Sequence, residues 1–146
     1  MKHLACCLAA AAAIVPLVCV AASPYAGEQS RSIKSLSKED VADYIDGKGM
    51  GFAKAAELNG YPGPAHVLEL AEKLALTPGQ KARTEKVFER MQMRARELGA
   101  RLVEEERRLD ELFASKAISH QSLATSVSAI AAIRSELRAT HLQAHL

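Results

Sequence analysis

The chain has 146 residues with no Trp, three Phe and three Tyr, so its core must come from Leu, Ile, Val, Met and Ala. Such a core suits packed helices and argues against a sandwich or barrel. Lys and Arg number 19 against 17 Asp and Glu, a balance too near neutral for a general nucleic-acid binder.

Residues 1–22 have the layout of a secretory signal: Lys2 and His3, an apolar run over 4–20, then small residues. One cleavage position follows Val20-Ala21-Ala22. A second follows Ser23-Pro24-Tyr25-Ala26 and avoids a proline just behind the cut. The run falls short of the ~20 apolar residues of a membrane span, and Pro16 interrupts it, so no stable span is expected after cleavage. Pro16-Leu17-Val18 before Cys19 lacks the small residues of a lipobox. Cys6, Cys7 and Cys19 all lie in this segment. The mature chain is then one small thiol-free domain, without disulfides, cysteine catalysis or thiolate metal sites.

Residues 23–35 are polar and predict a disordered leader, with the helical domain spanning 36–146. Ser37 and Asp40 predict a capped first helix, stapled by Leu36 and Val41 and ended at Gly47-Lys48-Gly49. A second short helix is expected over 50–58, closed by Asn59-Gly60. The rigid Tyr61-Pro62-Gly63-Pro64 turn starts a third, running to Leu76 with Val67, Leu70, Ala71 and Leu74 on one face.

Leu76-Thr77-Pro78-Gly79-Gln80 opens the longest helix, expected over 78–113. Thr77 is its N-cap, Pro78 its first helical residue, and Gln80 completes a capping box. Met91, Ala95, Leu98, Leu102 and Leu109 form a heptad seam, with Glu105 or Glu106 in the skipped position. Gly99 is a weak point of roughly 1 kcal/mol relative to Ala. Ser119 caps a last helix whose seam is Leu123, Val127, Ile130, Ile133 and Leu137. The short connection makes the last two helices an antiparallel hairpin. Residues 81–101 carry seven basic and three acidic side chains, and 102–113 carry two basic and five acidic. Antiparallel self-association would lay each half on its opposite in a homodimer.

The segments Gly49-Met50-Gly51-Phe52, 55–64, His66-Val67-Leu68-Glu69-Leu70 and Leu76-Thr77-Pro78-Gly79-Gln80 resemble the Spy/CpxP superfamily of bacterial periplasmic proteins. That superfamily includes members called heavy-metal resistance proteins. The resemblance spans 36–146 and includes the Leu-Thr-x-x-Gln element at the long-helix start. It implies an all-helical dimer shaped like a shallow cradle, located in the periplasm of a Gram-negative bacterium. Members act as ATP-independent chaperones, envelope-stress regulators, or metal binders and sensors. Family members commonly carry a second Leu-Thr-x-x-Gln after the final helix, which is not found before Leu146.

No nucleophile elbow, phosphate loop or distinctive carboxylate pair stands out, so an enzyme is not expected. His141 and His145, four apart, share a helix face and can chelate a divalent transition metal; two ligands are too few for a tight site, so His66, Glu69 or a partner chain would have to add others. Alternatively His141, four after Leu137, simply continues the seam. A second candidate is a client surface of Phe88, Met91, Met93, Arg94, Leu98, Arg101 and Val103, because one seam does not use all its apolar positions. Flexible methionines and arginine stems adapt to many partners. The reading is a periplasmic ATP-independent chaperone or stress adaptor for unfolded or partly folded envelope proteins; the alternative is a heavy-metal-binding protein.

Overall fold

A computed structural model describes residues 23–146, in which every regular element is helical. The expected export signal, its cysteines and the expected cut after Ala22 fall on or at the edge of residues outside that range. A 3-10 turn, Glu28–Ser30, precedes α1 (Lys38–Asp46), α2 (Lys54–Glu57), α3 (Pro64–Glu69), α4 (Pro78–Ala114) and α5 (His120–Gln143). No helix among the described residues is long and apolar enough to cross a membrane.

The three main helices start on the same local device. At α4 the Gln80 amide donates to Thr77 Oγ1 at 3.3 Å, and the Thr77 amide donates to Gln80 Oε1 at 2.9 Å. Ser37 and Asp40 close an equivalent box at α1, and Ser119 closes one with Ser122 at α5. Each box satisfies two amides that the first turn leaves without a partner.

The short helices are shorter than expected. Met50 and Gly51 have φ of 41° and 76°, left-handed values that exclude a helix there and confine α2 to one turn. Ala75, at φ 48°, lies in the irregular turn that separates α3 from the Thr77 cap.

The leader is not free up to residue 35. Ile33 and Leu36 are buried at 2% and 5% exposure, and both belong to the core. Between them, Lys34 donates to Asp110 from its amide and from Nζ, at 3.2 and 3.0 Å. Ser35 Oγ donates to Glu106 Oε2 at 2.9 Å, and Arg134 reaches the other oxygen at 3.3 Å. Residues 31–36 therefore strap across α4, because one apolar pair and two facing carboxylates outweigh a polar composition.

The core combines Ala95, Leu98, Leu102 and Val103 of α4 with Ile133 and Leu137 of α5, Tyr44 of α1 and the strap. The most extensive contact is between α4 and α5, with Arg94 meeting Glu136 at 2.7 Å and Glu106 meeting Arg134. On α4 the expected seam is buried at Ala95, Leu98 and Leu102, Met91 is half-buried at its start, and Glu106 is the buried residue at the skipped position. On α5 the first two expected seam residues, Leu123 and Val127, are 36% and 49% exposed, and Ser126 is buried instead. The seam then runs through Ile130, Ile133 and Leu137 to His141.

Helix α1 crosses α4 at Gly99. A Cβ there would lie 1.9 Å from the Tyr44 carbonyl oxygen. The expected weak point is thus the point of closest backbone approach. Gly47 ends α1 at φ 68°, and Arg96 Nε donates to the Asp46 carbonyl at 3.2 Å.

Candidate functional site

A cleft of about 400 Å³ opens where four pieces of chain meet. The loop after α1 contributes Lys48, Gly49 and Met50. The start of α3 contributes Gly63, Pro64 and His66, α4 contributes Phe88, Met91 and Gln92, and the end of α5 contributes His141 and His145. Met50 of the loop and Phe88 and Met91 of α4 give it its large apolar side chains, and α5 adds two imidazoles.

His141 is the most enclosed polar residue of the site, at 4% exposure. Its ring stacks on Phe52, with centroids 5.6 Å apart and planes 13° from parallel. Phe52 in turn meets Tyr44 at 6.5 Å, so the site is coupled to the α1–α4 crossing. Nε2 of His141 has no hydrogen-bond partner among the described residues. Burial first, and the nearby His145 second, push its pKa below the ordinary 6.5, keeping the ring neutral.

His145 is held from the other side. Its Nδ1 lies 2.8 Å from the Tyr61 carbonyl, which only accepts, so Nδ1 carries a hydrogen and donates it. Its ring rests against Gly63, where a Cβ would come within 2.9 Å of Cε1. Gly63 is needed for that approach.

A second groove, about 290 Å³, lies between Val87, Arg90, Met91 and Arg94 of α4 and Thr140, Gln143 and Ala144 of α5. Met91 borders both concavities.

The structure divides the expected client residues. Phe88 and Met91 line the cleft, Met91 and Arg94 line the groove, and Met93 is 69% exposed. Arg101 lines a separate shallow groove with Ala129, Ile133 and Glu136. Leu98 and Val103 are not surface residues: they are 0% and 3% exposed in the core. The apolar excess on α4 has a structural cause, since α5 packs on one side of it and α1 with the strap on another. Val87 of the groove was missed, although it recurs at helical spacing with Met91 and Arg94. Phe52 was missed too, and only its fold-dependent contact with His141 could have marked it.

The three expected metal ligands, His66, His141 and His145, line one cleft although 79 residues separate the first from the last. Among the described residues, no group of three or more His, Cys, Asp or Glu is gathered closely enough to hold an ion. Chemically, the arrangement is an apolar concavity with imidazoles in its wall and arginines on the neighbouring groove.

No protein-family model, curated protein or solved structure matches this chain.

Proposed function

We propose that the chain is an exported, ATP-independent chaperone or stress adaptor of the Spy/CpxP type that binds non-native polypeptides in the periplasm. The observation that carries this reading is the position of Met91, a flexible apolar side chain forming the wall between two open concavities. Phe88 extends the apolar surface on one side, and Val87 with Arg90 and Arg94 extends it on the other. Methionine adapts to irregular partners, and arginine stems add apolar contact beneath a charge that attracts acidic segments. Exposed Leu58, Leu70, Leu74 and Met93 add apolar area outside the core. The α4–α5 hairpin would be the arm of a cradle completed by a second copy.

The deciding experiment is suppression of aggregation of a denatured client without nucleotide. Wild type should protect at near-stoichiometric amounts. A Val87→Ser/Met93→Ser variant, altered at exposed positions, should fold normally and protect less. Full protection by that variant removes this surface from the mechanism, and no protection by wild type across several clients overturns the reading.

One observation favours metal binding as a second reading: His66, His141 and His145 line the same cleft. Calorimetry with zinc, copper, nickel and cobalt tests it. A site using His141 and His145 should weaken at least tenfold when both become Ala, and absence of binding tighter than millimolar ends it.

A further inference from the structure

The histidine-lined cleft is an unusual feature for a surface that only adsorbs apolar chain. At about 400 Å³ it falls in the size range of small-ligand pockets, roughly 300–1,000 Å³. We infer that it is a specific site for an aromatic ring bearing a hydroxyl: a phenol, supplied by a tyrosine side chain or by a free phenolic compound.

Three features select that chemistry. First, Met50 and Met91 line the cleft with Phe88, and thioether sulfur and ring edges both favour contact with an aromatic ring. Second, His141 contributes an imidazole that is 4% exposed and whose Nε2 has no protein partner. Buried polar atoms are nearly always partnered, so a ligand that reaches this nitrogen recovers an interaction the fold leaves unmade. A hydroxyl both donates and accepts, so it fits either tautomer of a neutral imidazole. Third, the charged residues lining the cleft do not favour an anion. Asp46 and Glu57 lie there, and Lys48 is already paired with Asp43 at 2.6 Å. A neutral polar group on an apolar ring is the chemistry that remains.

The tyrosine source rests on the client-binding reading above, whereas the free-phenol source does not. The experiment is an NMR titration of the mature chain near about pH 7.5, following the histidine imidazole resonances. The probes are 4-methylphenol and toluene, with capped Gly-Tyr-Gly and Gly-Phe-Gly as polypeptide counterparts. The His141 resonance should shift with 4-methylphenol and saturate at a Kd at least tenfold below that of toluene, about 1.4 kcal/mol. In His141→Phe the two small probes should bind alike. If that variant does not fold, the comparison in wild type stands by itself. Competition by the Tyr peptide but not the Phe peptide supports the site with a polypeptide as its source. Binding of 4-methylphenol alone supports the site with a small molecule as its source. Equal binding of 4-methylphenol and toluene by wild type, or an unmoved His141 resonance up to the solubility limit, overturns the inference. Aggregation suppression is a separate measurement, so it can succeed where this site fails, and the reverse.

Discussion

The carbonyl oxygen of Tyr44 occupies the space where residue 99 would carry a Cβ, 1.9 Å away. Helix α1 therefore rests on the backbone of α4, and Phe52 and His141 are connected to that crossing through the Tyr44 ring. Glycine inside a helix ordinarily costs stability relative to alanine. Here any side chain would push α1 off α4.

Gly99→Ala should thus destabilise despite its better helix propensity. Overpacking of a close contact costs about 1–3 kcal/mol, which exceeds the roughly 1 kcal/mol gained in the helix. Gly79→Ala is the control in the same helix, since a Cβ there meets only the end of Arg83 at 3.7 Å. Denaturant unfolding of both variants checks this, and a Gly99→Ala protein as stable as wild type would refute the crossing.

The strap makes a second prediction. Ile33 is fully packed although the surrounding residues are polar. Ile33→Ala should cost about 2–5 kcal/mol, the range for a large-to-small change in a core. A residue in a disordered leader would cost nothing. Hydrogen exchange of the amides over 31–36 should rise in the same variant and also, less strongly, in Asp110→Asn, which weakens the Lys34 anchor.

These two cases show what sequence reasoning can reach in this chain. The capping boxes at Ser37, Thr77 and Ser119 were legible, or partly so, because each involves residues three apart. The all-helical character followed from the same local spacing. The strap was not legible, because its determinants, Asp110 and Glu106, lie more than 70 residues away. Leu98 and Val103 were misread as client contacts for a related reason. An apolar excess on one helix looks the same whether it meets a client or a second layer of the same chain. For the cleft, the His141–His145 spacing was visible, but His66, Phe52 and Met50 reach it from more than 70 residues away in sequence.

The burial of His141 sets a pH dependence. Its pKa is lowered in the folded chain, so the unfolded chain binds its proton first as pH falls. The stability held by the neutral ring is complete above about pH 6.5 and is lost as pH drops below it, levelling off once the folded-state value is passed. Asp40, whose carboxylate is held below its ordinary 3.8 by the Ser37 hydroxyl and amide, loses its contribution only at lower pH. Stability measured between about pH 7.5 and 5 should therefore decline in wild type and decline less in His141→Phe. Equal slopes would show that the ring does not control this window.

The last prediction concerns self-association. The charge division of α4 suggested that Arg94 and Arg101 both meet a partner's acidic half. In the structure Arg94 already pairs with Glu97 and Glu136, and Glu106 and Asp110 are engaged by Arg134 and Lys34. Arg101 has no carboxylate within ion-pair distance among the described residues, and it lies beside Glu104 and Glu136 in a shallow groove. The two arginines should therefore behave differently. Arg101→Glu should loosen a dimer while leaving the monomer fold unchanged. Arg94→Glu should act first within the chain, and pairing it with Glu136→Arg should restore what it disturbs. Sedimentation over a concentration series, at low and high salt, separates these effects, because exposed interchain pairs weaken with ionic strength. A wild type that stays monomeric at tens of micromolar would overturn the dimer. A dimer that Arg101→Glu leaves untouched would place its interface on the exposed Phe113, Leu123 and Val127 near the other end of the helices.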